Sequence, residues 1–251
     1  MVHFIGAGCG AADLITVRGA RLLGEADVII YAGSLVNPAL LAYARPGCEI
    51  HDSARMTLEE VVAVIEAAEA AGKVTARLHT GDPSLYGAVR EQFDALEKRG
   101  IDYDVCPGVS AFSGAAAALR REYTLPETCQ TLIISRAGGR TPVPERERLR
   151  ELAAHRTSMA LYLSAGLARE VRDELIAGGC PPGTPAAVVY KATWPDERVL
   201  RCTVDTLAET VEQSGIDRTA LIVVGDFLGD GAARSKLYDP GFSTGFREAK
   251  P

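Results

Sequence analysis

Gly81 and Asp82 lie in the stretch HTGDPSLYGA (79–88), directly after a run that reads as a buried strand. A glycine at that edge lets a ligand approach the backbone closely. Asp82 precedes Pro83, which suits the first turn of a helix, so the carboxylate is either a cap for a helix over 84–99, a ligand contact, or both. Two further stretches share this make-up. GAGCG (6–10) follows the first apolar run, and CPGVSAFSGAAAAL (106–119) ends another run in Pro-Gly before Ser110, a candidate helix cap. The small residues after Ser110 serve tight helix–sheet packing or, at Ser110 and Ala111, leave room for a flat ligand. In open α/β sheets ligands lie outside the carboxyl ends of the strands, so all three stretches are candidate binding loops.

GAGCG departs from the dinucleotide-binding pattern. The third glycine is missing, Asp13 falls in the turn, and the helix is expected only after Thr16. A tight turn and a loop that approaches a different ligand both remain open. No nucleophile–base set declares itself in the spacing. His3 begins a strand, His51 and His79 stand near strand ends, and for each the structural reading is favoured over the catalytic one. No His, Asp or Glu cluster has metal-ligand spacing. The six cysteines are scattered without a C-x-x-C pair, which argues against a zinc site and against a disulfide scaffold.

The elements that must position these loops follow from hydrophobic periodicity. Runs at 2–6, 27–31, 48–52, 75–80 and 103–107 read as strands and alternate with helical patterns. The clearest helix covers 57–72: Leu58, Val61, Val62, Ile65 and Ala68 share a face, Thr57 and Glu60 form a capping box, and Gly72 is the stop. Such alternation predicts a largely parallel sheet covered by helices. Beyond a boundary near 113–125 the strands are expected at 131–135, 158–164, 186–192, 199–204 and 220–226. The short gap between the third and fourth of these favours an antiparallel pair and hence a mixed sheet. The expected fold is therefore α/β, with a parallel-rich N-terminal domain over 1–113 and a mixed-sheet C-terminal domain over 114–251.

The bulk composition is that of an ordinary globular protein. A net charge of −6 leaves no basic footprint for duplex nucleic acid, so no nucleic-acid partner is expected. Neither a signal peptide nor an apolar run of membrane-span length stands out, and the expectation is a cytoplasmic protein without a membrane partner. Arginine outnumbers lysine 22 to 5. That excess reflects coding bias or recognition of carboxylates or phosphates, which arginine binds bidentately.

Taken together, GAGCGAADLITVRGARLLGEADVIIYAG, HTGDPSLYGA and PGVSAFSGAAA resemble the S-adenosylmethionine-dependent tetrapyrrole methyltransferases of the cobalamin and sirohaem pathways, and the resemblance covers essentially the whole chain. YAGSLVNP, HDSARMTLEE, SRAGGRTPVPE and YDPGFSTGFR are similar to the branch that methylates C11 of precorrin-4. The resemblance implies two α/β domains with the active-site cleft between them, a homodimer, and S-adenosylmethionine folded into that cleft. The activity implied is methyl transfer to C11 of precorrin-4, giving precorrin-5. The alternatives are the same step on cobalt-precorrin-4, whose metal would arrive inside the macrocycle, and a non-catalytic tetrapyrrole-binding protein.

By the same resemblance the cofactor positions are Cys9, Thr80, Gly81, Asp82, Leu85, Ser110, Ala111, Leu163 and Ala192, mostly small or apolar, as suits contacts made through backbone groups. Relatives commonly carry Pro and then Asp in the first loop, where this chain has Cys9 and Ala11, so a substrate role for that Asp does not transfer. The Gly common near position 192 is Ala192. A macrocycle edged by carboxylates needs cations around it, and Arg18, Arg55, Arg136 and Arg140 lie in loops that suit this role. No catalytic acid or base declares itself and no bound metal is expected; methyl transfer to an electron-rich carbon asks mainly for alignment and exclusion of water, so strong base catalysis is not required.

Overall fold

A computed structural model of the protein describes residues 1–231 and 233–250. The chain divides into two compact units, Met1–Gly114 with Lys191–Asp196, and Ala115–Tyr190 with Glu197–Pro251.

In the first unit the apolar runs form β1 (Val2–Gly6), β2 (Val28–Tyr31), β3 (Glu49–Asp52), β4 (Thr75–His79) and β5 (Tyr103–Cys106). All pairings are parallel, in the order β3-β2-β4-β1-β5. The inner strands β1 and β2 are buried and read as near-continuous apolar runs, whereas the edge strands β3 and β5 are largely exposed. Helices α1 (Val17–Glu25), α2 (Leu58–Ala70), α3 (Arg90–Glu97) and the start of α4 (Ala111–Leu119) belong to this unit. One face of the sheet packs Ile5, Ile29 and Leu78 with Leu22, Leu23 and Leu40. The other packs Phe4, Val28 and Ile30 with Val61, Ile65 and Leu96. Thr57 and Glu60 form the expected capping box on α2, and Gly72 closes the following turn at φ +68°.

The helix expected over 84–99 is shorter than its sequence pattern. It begins only at Arg90, because Tyr86 and Ala88 adopt φ +55° and +48° and interrupt any helical path. Asp82 therefore does not cap α3. Its Oδ1 accepts from the Ser84 amide at 2.8 Å and its Oδ2 from the Gly108 amide at 2.8 Å.

The second unit contains β6 (Leu132–Arg136), β7 (Ser158–Tyr162), β8 (Pro185–Tyr190), β9 (Arg198–Thr203) and β10 (Ala220–Val224), in the order β6-β7-β10-β8-β9. Only β6–β7 is parallel; β8 and β9 pair antiparallel, as the short gap between them requires. Helices α5 (Leu149–Ala153), α6 (Ala168–Ala177) and α7 (Leu207–Ser214) contribute Leu149, Val171, Leu175 and Leu207 to a core with Leu161, Val188 and Ile222. Among the described residues no helix is long and apolar enough to cross a membrane.

Candidate active site

Strand order puts the carboxyl ends of β4, β1 and β5 side by side, and the three glycine-bearing loops leave from these ends. They are joined to one another by backbone. The amide of Ala7 donates to the His79 carbonyl at 2.7 Å. Gly8 and Gly81 exchange two hydrogen bonds, at 3.2 and 2.9 Å. The Asp82 carboxylate then fastens the second loop to the third through Gly108. The glycines permit this contact sterically. A Cβ on Gly108 would stand 2.1 Å from the Gly81 carbonyl oxygen, and one on Gly6 would stand 2.5 Å from the Gly108 Cα.

Gly81 itself has φ +62°, and a Cβ there would point at Ser110 Cα and the Ala111 amide nitrogen, 3.6 and 3.7 Å away. The space in front of Gly81 is thus bounded by Ser110 and Ala111, both drawn from the third loop. Thr80 contributes a buried hydroxyl with no hydrogen-bond partner in the structure, and the amide of Leu85 turns back onto the Asp82 carbonyl at 3.2 Å. Cys9 is buried and lies against Gly114 and Ala192: a Cβ on Gly114 would be 2.8 Å from Cys9 Sγ and 3.3 Å from Ala192 Cβ. Cys9, Thr80, Gly81, Asp82, Leu85, Ser110, Ala111 and Ala192 all belong to the first unit.

Leu163 belongs to the second unit. Its φ of +53° is a left-handed conformation that costs about 1–2 kcal/mol for a side-chain-bearing residue. The next residue, Ser164, is fully buried; its hydroxyl accepts from the Ala137 amide at 2.8 Å and donates to the Tyr162 carbonyl at 2.6 Å. The turn is thereby held with the Leu163 side chain 69% exposed, the combination of strain and exposed apolar surface that ligand contacts favour.

The four arginines divide into two kinds. Arg18, in the first turn of α1, Arg55 and Arg140 are exposed. Arg136 is turned onto its own loop: its Nη1 donates to the carbonyls of Ala137 and Thr141 at 3.1 and 2.9 Å, and its Nη2 to that of Pro142 at 3.0 Å. Arg136 thus braces the segment that carries Arg140.

Electrostatically the strand ends are unusual in one respect. Arg77 and His79 are both buried on β4. Burial pushes the Arg77 guanidinium down to about 10, and it is held by the Gln92 side chain at 3.0 Å and the Ile30 carbonyl at 3.1 Å. Burial, with the neighbouring Arg77 charge, pushes His79 down to about 3. His79 is therefore held as a neutral ring, stacked 5.9 Å from Phe4. For Asp82, burial raises the carboxyl, but hydrogen bonds from the Ser84 hydroxyl and the Gly108 and Ser84 amides outweigh it and hold the group below its ordinary value. His3 pairs with Asp104 and His51 with Glu49, both at strand surfaces. Among the described residues no group of three or more His, Cys, Asp or Glu is placed to hold a metal ion.

Two residues that sequence reading passed over also bear on the site. Thr193 Oγ1 accepts from the Ala11 amide at 3.0 Å and lies 3.6 Å from Cys9 Sγ. Asn37 Nδ2 donates to the Gly10 carbonyl at 2.9 Å. Asn-Pro marks Asn37 as a turn cap, but nothing in the sequence near Thr193 points to the first loop.

Residues 1–208 match the family model of the tetrapyrrole (corrin/porphyrin) methylases. A cobalt-precorrin-4 C(11)-methyltransferase of Methanocaldococcus jannaschii is 51% identical, with 99% of this chain and 96% of that protein covered. A precorrin-4 C(11)-methyltransferase of Sinorhizobium sp. is 47% identical, with 98% of each covered. Among solved structures, a cobalt-precorrin-4 methyltransferase superposes with a TM-score of 0.89 at 46% identity, over 91% of this chain and 96% of that one. The uroporphyrin-III C-methyltransferase of Thermus thermophilus, solved with S-adenosylhomocysteine, superposes with a TM-score of 0.76 at 26% identity, over 91% and 93%. With the family model matched over most of its length and full-length relatives at about half identity, the chain belongs to the tetrapyrrole (corrin/porphyrin) methylases.

Proposed function

We propose that the chain transfers one methyl group from S-adenosylmethionine to C11 of precorrin-4 or its cobalt form, in cobalamin biosynthesis; on the metal-free substrate the product is precorrin-5. The observation that carries this reading is the joining of three small-residue loops at the carboxyl ends of β4, β1 and β5. The solved relative in complex with S-adenosylhomocysteine supports the choice of cofactor, and the names of the two full-length relatives support the choice of macrocycle.

The residues present fit the cofactor on two structural grounds. The space before Gly81 is one that any Cβ would begin to fill, and the Thr80 hydroxyl is buried without a partner. We assign Cys9, Thr80, Gly81, Asp82, Leu85, Ser110, Ala111 and Ala192 of the first unit, with Leu163 of the second, to holding it. When bound, the cofactor supplies an electrophilic methyl on a positively charged sulfur and leaves as S-adenosylhomocysteine. The chain's own work is alignment. The loops fix position through backbone and small side chains, and their apolar members exclude water, which favours a reaction whose transition state disperses the sulfonium charge towards the pigment. Arg18, Arg55 and Arg140 are assigned to the carboxylates of the macrocycle, with Arg136 acting by holding the loop that carries Arg140. No side chain is assigned as acid or base, because the carbon attacked is already nucleophilic.

The deciding experiment supplies carbon-labelled methyl donor with precorrin-4 and, separately, with cobalt-precorrin-4, and locates the label by mass and carbon NMR. Label at C11 is expected. Label in the cobalt form alone fixes the substrate as the metal-containing one; label at C17, or none in either pigment, sinks the assignment. The same reading carries a homodimer in the cytoplasm, for which a single monomeric mass by light scattering over a wide concentration range is the opposing result.

A further inference from the structure

We infer that Asn37 and Thr193 are positioning residues that grip a single peptide unit and so set the shape of the first loop. The carbonyl of Gly10 and the amide of Ala11 are the two polar groups of one peptide bond. Asn37 Nδ2 donates to the carbonyl at 2.9 Å, and Thr193 Oγ1 accepts from the amide at 3.0 Å. The two side chains come from points 27 and 182 residues away, so the plane of this peptide is fixed from outside the loop.

Each clamp residue is itself oriented. Asn37 Oδ1 accepts from the Ala39 amide at 3.0 Å, which caps the turn opening at Pro38 and commits the amide nitrogen to the Gly10 side. Thr193 adopts φ +69°, a left-handed conformation that a β-branched residue rarely takes, and Lys191 two residues earlier is at +46°. A backbone held there against its preference is the mark of a position fixed by its surroundings. The surroundings are close. A Cβ on Gly10 would stand 2.3 Å from the Trp194 ring and 2.6 Å from the Ala192 carbonyl oxygen. Ala11 has no polar side chain to fix the peptide, and Cys9 touches the Thr193 hydroxyl at 3.6 Å. Gly8, two residues before the gripped peptide, carries the hydrogen bonds to Gly81. A rotated Gly10–Ala11 peptide would therefore move Cys9 and disturb the junction with the second loop. This inference rests on the assignment of that loop to S-adenosylmethionine.

The test uses the full chain with Thr193→Val, Thr193→Ser and Asn37→Asp. Valine keeps the branched shape and removes the acceptor; serine keeps the acceptor; aspartate keeps the cap on Ala39 and removes the donor. Binding of S-adenosylhomocysteine is read by calorimetry, KM for the methyl donor and for the pigment are measured separately, and exchange of the Ala11 amide is followed by NMR. Thr193→Val and Asn37→Asp are each expected to weaken binding about tenfold, as loss of one hydrogen bond at a partly buried group does. KM should rise for the methyl donor and not for the pigment, Ala11 exchange should speed up, and Thr193→Ser should restore binding. Because both residues hold one peptide, the double variant should lose less than the product of the two single losses. Unchanged binding in both Thr193→Val and Asn37→Asp overturns the inference, as does a serine variant as weak as valine. If Thr193→Val does not fold, Asn37→Asp decides alone. A wild-type chain that binds no S-adenosylhomocysteine overturns the cofactor assignment and this inference with it, whereas a binding wild type with equally binding variants overturns the inference only.

Discussion

The Asp82 carboxylate accepts a hydrogen bond from the Gly108 amide at 2.8 Å, fastening the loop after β4 to the loop after β5, two strands that do not pair with each other. A single acidic side chain thus spans the end of β1, which lies between them. Replacing it with alanine strips the acceptor from the Gly108 and Ser84 amides together. Asp82→Ala should cost about 2 kcal/mol in urea unfolding at neutral pH. The folded carboxyl titrates below its ordinary value of 3.8, so this stabilisation is complete above that value and is lost as pH falls through the lower, folded one. The gap between wild type and variant should therefore hold steady above pH 3.8 and narrow below it; a gap that is constant throughout would show that the carboxylate charge is not what matters.

Gly81 and Gly108 differ in what a methyl group would meet, and the difference is measurable. At Gly108 the added Cβ strikes a carbonyl oxygen at 2.1 Å, so Gly108→Ala should destabilise the fold by several kcal/mol, about 3 or more. At Gly81 the same Cβ finds ordinary contacts at 3.6 Å or more and pays only for the positive φ, so Gly81→Ala should cost about 1 kcal/mol. Gly81→Leu should fold and fail to bind S-adenosylhomocysteine, because its side chain fills the space before Ser110. Calorimetry and thermal melts on the three variants separate the two roles.

His79 makes a second contribution to acid sensitivity, of the opposite chemical kind. It is neutral in the folded protein down to about 3 but titrates near 6.5 when unfolded. Between these values the unfolded state binds the extra proton, so stability falls as pH falls. At about pH 4.5 the loss should reach about 2.5 kcal/mol relative to neutral pH. In His79→Leu that part of the pH dependence should vanish; comparison of urea midpoints at the two pH values checks it.

Arg136 and Arg140 should separate by readout. Arg136→Ala removes three hydrogen bonds to carbonyls of its own loop. It should speed amide exchange over residues 137–143 and weaken pigment binding indirectly. Arg140→Ala should leave exchange unchanged and weaken pigment binding alone, about tenfold for a lost charge-assisted bond. S-adenosylhomocysteine affinity should hold in both, as measured by calorimetry.

Much of the frame was readable because its cause is local. β1 and β2 are mainly apolar runs, and the capping box of Thr57 and Glu60 lies within four residues. The antiparallel β8–β9 pair follows from a gap too short for a crossover. The glycines at 6, 81 and 108 could be singled out as strand-end features, but their mutual exclusion at 2.1–2.7 Å depends on the strand order. Where the reading erred, tertiary context decided. Residues after Pro83 look like a helix start, yet Tyr86 and Ala88 take left-handed backbone and delay α3 to Arg90. The roles of Asn37 and Thr193 were invisible for the same reason: each acts on a peptide remote in sequence, and no local pattern records such a bond.

The hydrogen bond between the Ala11 amide and Thr193 also has a temporal meaning. The turn after β1 is completed by a turn 182 residues later. Contacts of such separation form late, since loop closure must precede them. A nascent chain that has already made its whole parallel sheet still presents an unfinished first loop. Competence to hold a ligand there would arrive only once the turn carrying Thr193 has been made, and chains truncated before Thr193 would have a slack binding edge.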